Sequence, residues 1–298
     1  MRSSGLGRRL AARFVAGDDV SSAVRAVQEL NAAGVAATLD VLGESVTSAA
    51  EARAARDAYL ETLDAIARAH AASHVSLKLT QLGLDVSEER CVSNVEAVIE
   101  RARALGSFVR IDMEGSAYTE RTLALFRDRF RPEFGTAVGV VLQSYLRRTE
   151  HDLTDLLRVG ARIRLCKGAY QEPATVAFPR KSDVDANYVR CMERLLKEGR
   201  EPAIATHDEA LIEHAKAFAR REGLPPERFE FQMLYGVRRD LQRALRRDGY
   251  RVRVYVPFGG AWYRYLVRRL AERPANLWFV AGNVLREALS RRSVDHRA

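Results

Sequence analysis

Cysteine is scarce in this chain, and no apolar run is long. The 298 residues include three cysteines, Cys91, Cys166 and Cys191, whose spacing fits neither a disulfide framework nor a metal site. We therefore expect free thiols in a reducing compartment. A membrane-spanning helix needs about 20 consecutive apolar residues. No stretch of the sequence reaches that length, so we expect no transmembrane segment.

Several short catalytic motifs are also missing. The chain contains no G-x-S-x-G nucleophile turn and no H-E-x-x-H zinc motif. Its histidines are too scattered to suggest a metal site, so we expect no metal. The first strand-like segment ends in Asp40-Val-Leu-Gly-Glu44, where a dinucleotide-binding sheet would have its G-x-G-x-x-G turn. What is abundant instead is Arg, Lys and the backbone of Lys167-Gly168-Ala169, which suit a pyrophosphate, together with tyrosines that can wall a flat cofactor. A redox cofactor would then supply the reactivity.

Positive charge is in excess. Lys and Arg together number 48 against 39 for Asp and Glu, a formal net charge of +9. This balance favours anionic partners such as cofactor phosphates, carboxylate substrates, nucleic acid or lipid headgroups. A nucleic-acid-binding protein is one alternative, with a basic stripe formed by Arg238, Arg239, Arg243, Arg246, Arg247 and Arg251. Asp240 and Asp248 interrupt that stripe, so we expect no nucleic-acid partner.

Short apolar strand patterns alternate with amphipathic helix patterns after about residue 35. Strands are expected at Ala36 to Leu42, His74 to Leu79, Phe108 to Met113, Val138 to Tyr145, Arg162 to Cys166, Ala203 to His207, Phe229 to Leu234 and Arg251 to Val256. Helices are expected at Glu51 to Ala71, Asn94 to Leu105, Glu120 to Phe130, Asp152 to Val159, Asp185 to Glu198, Glu209 to Arg221 and Asp240 to Arg247. This rhythm over roughly 250 residues predicts an α/β fold of the (β/α)8 TIM barrel type.

We expect residues 1–298 to form a single domain. A helical extension occupies about 1–34, with a helix from about Ser21 to Ala33, and the barrel fills about 35–298 together with a terminal helix from Leu277 to Ser290. An open doubly wound sheet is the alternative architecture, without its glycine fingerprint.

Polar residues cluster where the predicted strands end, at the face that carries the chemistry in a barrel. Each has an ordinary structural explanation when taken alone, but their coincidence at the same end of successive strands favours a site. They are Lys78, Asp112, Glu114, Gln143, Tyr145, Arg164, Lys167, Gly168, Tyr170, Thr206, His207, Asp208, Gln232, Leu234 and Tyr255.

A second group follows the last strand. Tyr265, Arg268, Arg269 and Glu272 stand at i, i+3, i+4 and i+7, so on a helix they share one face. Paired guanidinium groups near a strand's carboxyl end would clamp a planar carboxylate. The alternative is that Trp262, Leu266 and Leu270 form a buried stripe, with the charged face simply solvated.

The chain resembles the proline dehydrogenases, which are FAD-dependent (β/α)8 enzymes, from roughly residue 14 to the last helix. Five motifs in order carry the resemblance: Arg164-Leu-Cys-Lys-Gly-Ala-Tyr170, Ala205-Thr-His207, Phe231-Gln-Met-Leu234, Val254-Tyr-Val-Pro257 and Tyr265-x-x-Arg-Arg-x-x-Glu272. We expect the monofunctional type, similar to the proline dehydrogenase domain of bifunctional proline-utilisation proteins.

The resemblance implies a role for each site residue. It places Asp112 and Arg164 at the reacting centre, with Asp112 orienting basic side chains. It assigns substrate binding to Lys78, Tyr170, Leu234, Tyr255, Tyr265, Arg268 and Arg269. It assigns cofactor binding to Met113, Gln143, Arg164, Lys167, Gly168, Ala169, Thr206, His207 and Glu272.

The implied reaction transfers a hydride from C5 of L-proline to N5 of FAD and yields Δ1-pyrroline-5-carboxylate. The resemblance implies a membrane quinone as electron acceptor and a pyrroline-5-carboxylate dehydrogenase as a partner that takes the product. It implies a cytoplasmic protein, with peripheral association at the inner membrane left open. Two enzymatic alternatives remain: a flavin barrel similar to methylenetetrahydrofolate reductase, and a Schiff-base aldolase that uses Lys78 or Lys167 as its amine nucleophile.

Overall fold

The computed structural model describes residues 13–262, which contain a closed barrel of eight parallel strands. Each strand pairs with the next along the chain, and the first pairs with the last, with Leu39 opposite Val256. The predicted barrel is therefore confirmed, and the open sheet is excluded. The strands are β1 (Ala36–Val41), β2 (Ser73–Leu77), β3 (Val109–Ile111), β4 (Val138–Gln143), β5 (Arg162–Cys166), β6 (Arg200–Ala205), β7 (Glu230–Leu234) and β8 (Arg251–Phe258).

Helices follow the strands around the outside of the barrel. They are α1 (Val20–Ala32) before the barrel, then α2 (Ala49–Arg68), α3 (Glu88–Ala104), α4 (Ser116–Leu125), α5 (Arg131–Phe134), α6 (Thr149–Arg158), α7 (Lys181–Glu198), α8 (Glu209–Arg221) and α9 (Arg239–Arg247). A π-helical turn, Phe126–Phe130, joins α4 to α5. No helix in this described part of the chain has the length and apolar composition that a bilayer span requires.

Local sequence signals explain where the helices start and stop. Asp19 and Ser48 accept a hydrogen bond from the backbone of the first turn of α1 and α2, as N-cap residues do. Gly106 and Gly160 follow α3 and α6 with positive φ, which suits glycine at a helix end. The expected N-terminal helix is confirmed within one residue at each end.

Strand alternation separates an apolar layer from a polar lumen. In β1, Ala37 and Leu39 are buried among the apolar residues between barrel and helices. Thr38 and Asp40 have the opposite phase, and they hydrogen-bond to side chains of β2 and the residue after it. Inward-facing polar side chains are thereby lined up toward the carboxyl ends of the strands.

The end of β8 differs from the prediction, since the strand that was expected to stop at Val256 runs through Phe258. The carbonyl of Pro257 accepts from the backbone of Ala16, and the carbonyl of Phe258 accepts from that of Leu42, so both residues are held in extended conformation by neighbours remote in sequence. The expected helix from Leu277 to Ser290 lies outside the described residues.

Candidate active site

A buried ion pair lies at the carboxyl ends of β1 and β2. The ammonium of Lys78 lies 3.0 Å from Oδ1 and 3.3 Å from Oδ2 of Asp40. Burial alone would lower the pKa of Lys78, but attraction to Asp40 and Asp112 outweighs it, and the net effect raises that pKa. Lys78 is therefore a fixed positive charge at the barrel mouth.

Asp112, just past β3, accepts three hydrogen bonds inside the lumen. Its Oδ1 accepts from Ser76 Oγ at 2.6 Å and from Arg164 Nη1 at 2.7 Å, and its Oδ2 accepts from Tyr255 Oη at 2.8 Å. Burial would raise the pKa of Asp112, but Arg164, Lys78 and the Ser76 hydrogen bond together lower it. A carboxylate held this way stays ionised and is a poor general base.

Two nitrogens of the Arg164 guanidinium donate hydrogen bonds to other side chains, and the third has no partner among the described residues. Nε donates to Gln232 Oε1 at 2.6 Å, Nη1 donates to Asp112, and Nη2 is buried without a hydrogen-bond partner among the described residues. The guanidinium also lies over the Tyr255 ring, 5.3 Å from its centroid. A buried donor without a partner is costly, so this one marks where a bound group with an acceptor fits.

A relay of polar side chains continues from Arg164 deeper into the barrel. Gln232 Nε2 donates to Glu230 Oε1 at 2.5 Å, which leaves the amide oxygen of Gln232 to accept from Arg164. Glu230 also accepts from Arg253 Nε at 2.9 Å. The orientation of Arg164 is thus set by partners on two other strands.

Lys167 and Gly168 follow β5 and form a second part of the site. Lys167 Nζ lies 2.6 Å from Asp185 Oδ1 and 2.8 Å from Asp208 Oδ2. Gly168 has φ +120°, and a Cβ there would lie 2.2 Å from Cδ1 of Tyr145. This position therefore requires glycine, whose exposed backbone can approach a ligand closely.

Thr206 and His207 link the ends of β6 and β7. His207 Nε2 accepts from the backbone N–H of Leu234 at 2.9 Å, so this nitrogen carries no proton. Thr206 Oγ1 accepts from the backbone N–H of Asp208 at 3.1 Å. Both contacts fix the loop after β6, next to Lys167.

The remaining predicted residues of the described chain are at the same end of the barrel. Gln143 Nε2 donates to the carbonyl of Glu114 at 2.9 Å, and Met113 between Asp112 and Glu114 is buried. Ala169 and Tyr170 lie in the loop after Gly168, with Tyr170 packed against Tyr145. Tyr265, Arg268, Arg269 and Glu272 lie outside the described residues.

Three residues with structural roles in this site were not assigned any role from the sequence: Asp40, Ser76 and Gln232. Asp40 and Ser76 are register partners on β1 and β2, and both side chains have the inward phase. Asp40 accepts from Lys78, and Ser76 donates to Asp112. Alternation in β1 and β2 was the signal that could have identified them. Gln232 was noted as a strand-end residue, but its contact with Arg164 needs tertiary structure.

The lysines in the site do not suit a Schiff-base nucleophile. Such a lysine needs a neutral amine, usually made by desolvation or by a neighbouring cation. Lys78 has a raised pKa beside Asp40, and Lys167 lies between two carboxylates. Lys78 is held as an ammonium ion and Lys167 is ion-paired on two sides, which disfavours the aldolase alternative.

Comparison with known proteins gives consistent matches. The family model described as "Proline dehydrogenase" matches residues 23–282. Proline dehydrogenase 2 of Bacillus subtilis is 43% identical over 274 residues, which cover 92% of this chain and 90% of that protein. The proline dehydrogenase of Deinococcus radiodurans is 44% identical over 281 residues, which cover 93% and 90%.

A solved structure matches the fold. Proline utilization A (PutA) from Bdellovibrio bacteriovorus, inactivated by N-propargylglycine, superimposes with a TM-score of 0.82 at 28% identity. The match covers 89% of this chain and 32% of the PutA chain, so this chain spans about a third of that longer polypeptide.

Proposed function

Because the chain belongs to the proline dehydrogenase family, we propose that it oxidises L-proline to Δ1-pyrroline-5-carboxylate with FAD bound at the carboxyl ends of the strands. The observation that carries the proposal is the buried Arg164, whose Nη2 has no partner among the described residues while Nε and Nη1 are fixed. A guanidinium with one unpaired nitrogen can donate a hydrogen bond to a bound ring and stabilise negative charge that develops on it.

The residues present fit FAD. Arg164, Met113 and Gln143 would face the isoalloxazine, while Lys167, Gly168, Ala169, Thr206 and His207 would hold the ribityl, phosphate and adenosine portions. Glu272 would be a further cofactor-binding residue. Gly168 supports this because its missing side chain leaves backbone exposed beside Tyr145. When bound, FAD would supply the hydride acceptor at N5. The charge of Lys167 suits a pyrophosphate, although it also contacts Asp185 and Asp208.

Lys78 binds the carboxylate of proline, together with Arg268 and Arg269 from the segment after β8. The pair with Asp40 holds the Lys78 ammonium in place, since Asp40 is buried. Tyr170, Leu234, Tyr255 and Tyr265 surround the pyrrolidine ring. Fixing the carboxylate aims one C5–H bond at the flavin, which lowers the entropic part of the barrier.

Asp112 orients its neighbours and does not take a proton. Its oxygens already accept from Ser76, Arg164 and Tyr255, and its pKa is lowered. Proline must therefore bind with its amine unprotonated, and turnover rises with pH for this reason.

The family resemblance also implies two partners. A membrane quinone would accept the electrons, and a pyrroline-5-carboxylate dehydrogenase would consume the product. The proposed location is the cytoplasm, and peripheral association with the inner membrane is the alternative. The proposed organisation is a single domain, in which α1 precedes the barrel.

Product formation tests the proposal. FAD-loaded protein is incubated with L-proline and an artificial electron acceptor, and Δ1-pyrroline-5-carboxylate is trapped with o-aminobenzaldehyde. We expect the trapped product with L-proline but not with D-proline. We also expect N-propargylglycine, which inactivated the Bdellovibrio PutA, to abolish product formation in a time-dependent way. No trapped product from FAD-loaded protein would contradict the proposal.

A further inference from the structure

The loop between β5 and α7, residues 167–180, begins at the carboxyl end of β5 and is anchored near both of its ends to the residues that follow β4. The backbone N–H of Tyr145 donates to the carbonyl of Lys167 at 2.8 Å. The backbone N–H of Phe178 donates to the carbonyl of Tyr145, also at 2.8 Å, beside an antiparallel bridge between Leu146 and Ala177. We call residues 168–172, which lie between these two anchors outside any helix or strand, the β5 arc.

The β5 arc is tied to a different element by one carboxylate. Glu172 Oε1 accepts from the backbone N–H of Ser116 at 2.6 Å, and Oε2 accepts from the Ser116 hydroxyl in a short hydrogen bond. Ser116 is the first residue of α4, and Gly115 before it has no side chain that could cap the helix. Glu172 therefore takes the place of an N-cap, where a negative charge is stabilised by the helix dipole.

This contact lies between two parts of the proposed site. Helix α4 follows directly from Asp112 and Met113, while the β5 arc carries Gly168, Ala169 and Tyr170. The pKa of Tyr145 is raised, first because its hydroxyl is buried and second because the Glu172 carboxylate is nearby. The same tyrosine ring fills the space beside Gly168.

We infer that Glu172 is a positioning residue, which latches the β5 arc to the N-terminus of α4 and so sets the places of Gly168 and Tyr170 against FAD and proline. The inference rests on the proposed function for the two ligands. The latch itself depends only on the Glu172 and Ser116 contacts. Without it, the arc keeps both backbone anchors at Tyr145 but loses its tie to α4.

Glu172→Gln tests the latch, because it removes the charge and keeps the side-chain size. We expect FAD to dissociate about fivefold faster and the KM for L-proline to rise about fivefold, with kcat changed less than about twofold. Ser116→Ala removes only the hydroxyl and should give part of this effect. Ser116→Thr keeps the hydroxyl and should restore values close to those of the wild type.

The chain offers a matched control. Asp19 also accepts from one backbone N–H and one serine hydroxyl, at 2.8 Å from Ser22 N and 2.7 Å from Ser21 Oγ, at the start of α1. Asp19→Asn should lower the Tm as Glu172→Gln does, without changing FAD release or KM. Equal FAD release and equal KM in the two variants would overturn the latch and leave Glu172 a simple helix cap.

The two readouts separate this inference from the proposed function. FAD release is measured by recovery of flavin fluorescence and needs no substrate. If the wild type fails to oxidise proline while Glu172→Gln still releases FAD faster, the proposed substrate is wrong and the latch is supported. If the wild type oxidises proline and neither Glu172→Gln nor Ser116→Ala differs from Asp19→Asn, the latch is wrong and the function is supported.

Discussion

At the scale of single residues, Asp112 and Arg164 form a buried ion pair. Asp112→Asn keeps the shape of the side chain but leaves Arg164 without its ion-pair partner, at a cost of about 3 kcal/mol in the free energy of unfolding near neutral pH. The pKa of Asp112 is lowered from 3.8 in the folded state, so its ionised form stabilises the fold above the unfolded pKa. That contribution is lost as pH falls through the folded pKa.

The prediction is checked by measuring Tm against pH. The gap between the wild type and Asp112→Asn should be full above about pH 5 and should shrink below about pH 4. Asp57→Asn is the control, since Asp57 pairs with Arg56 at the surface with 60% of its side chain exposed. A gap for Asp112→Asn that widens in acid would show that the Asp112 carboxylate does not stabilise the fold.

Arg268 and Arg269 are proposed to bind the carboxylate of proline. Lysine keeps the charge but cannot reproduce the planar fork that grips a carboxylate, so Arg268→Lys or Arg269→Lys should each weaken proline binding by about 1.5 to 3 kcal/mol. The measurement is the KM for L-proline under steady-state conditions. Arg220→Lys, near the end of α8, is the control. Wild-type kinetics in both variants would refute the clamp.

The sequence predicted site residues where a chemically distinctive side chain stands at a strand end. Lys78, Asp112 and Arg164 were identified in this way and are brought together in the lumen. Asp40 and Ser76 were not, because a carboxylate or hydroxyl in an apolar strand has many ordinary explanations. Only the closed barrel shows that their inward phase points at charged partners.

At the scale of elements, the turn after β5 depends on a single glycine. Gly168→Ala meets two penalties, a φ of +120° and a Cβ that would overlap the Tyr145 ring. We expect a loss of about 1 to 3 kcal/mol in the free energy of unfolding, together with protein that purifies with less FAD.

Gly106→Ala separates the two penalties. Gly106 has φ +64°, and a Cβ there meets nothing within 4 Å, so its cost is backbone strain alone. FAD content and Tm of both variants give the comparison. Equal FAD content would mean that the space beside Tyr145 has no role in cofactor binding.

The types of the elements followed from local sequence, whereas their ends did so only where a local cap marks them. Glu209–Arg221 was predicted to the residue, because Asp208 caps its start and the apolar stripe ends with it. The end of β8 was missed because Pro257 and Gly259 are local turn signals, whereas the pairing that extends the strand comes from Ala16 and Leu42. The helix from Glu120 to Phe130 likewise starts four residues earlier, at Ser116, where Glu172 caps it.

At the scale of the whole molecule, one polar relay runs through the barrel from Arg253 to Asp112. Glu230 is its central member, since it accepts from Arg253 and from Gln232, which orients Arg164. Glu230→Gln should cost about 3 kcal/mol in the free energy of unfolding, because it leaves Arg253, whose side chain is 12% exposed, without its ion-pair partner. It should also lower kcat/KM. A glutamine at position 230 can donate as well as accept, so the amide of Gln232 is no longer held with its oxygen toward Arg164.

Denaturant unfolding and steady-state kinetics check this prediction together. Glu201→Gln is the control, since Glu201 pairs with Arg162 but has 43% of its side chain exposed. That variant should lose less than about 1 kcal/mol and keep its activity. If Glu230→Gln lost stability but kept the wild-type kcat/KM, the relay would be structural only.

The overall architecture was accessible from sequence because eight strand patterns alternate with helix patterns, and a parallel sheet of that size closes readily. The relay was not accessible, because its members come from β3, β5, β7 and β8 and meet only after closure. The alternation of strand and helix patterns along the chain predicts the layers of the fold, whereas contacts across the lumen depend on how the barrel closes.

Proline oxidation by bound FAD is tested most directly by the visible spectrum of the FAD-loaded protein, recorded anaerobically before and after addition of L-proline. We expect the yellow flavin absorbance to bleach with L-proline, since no other electron donor is present. Persistence of the yellow absorbance with proline, followed by bleaching with a reduced nicotinamide, would contradict the account and favour the reductase alternative.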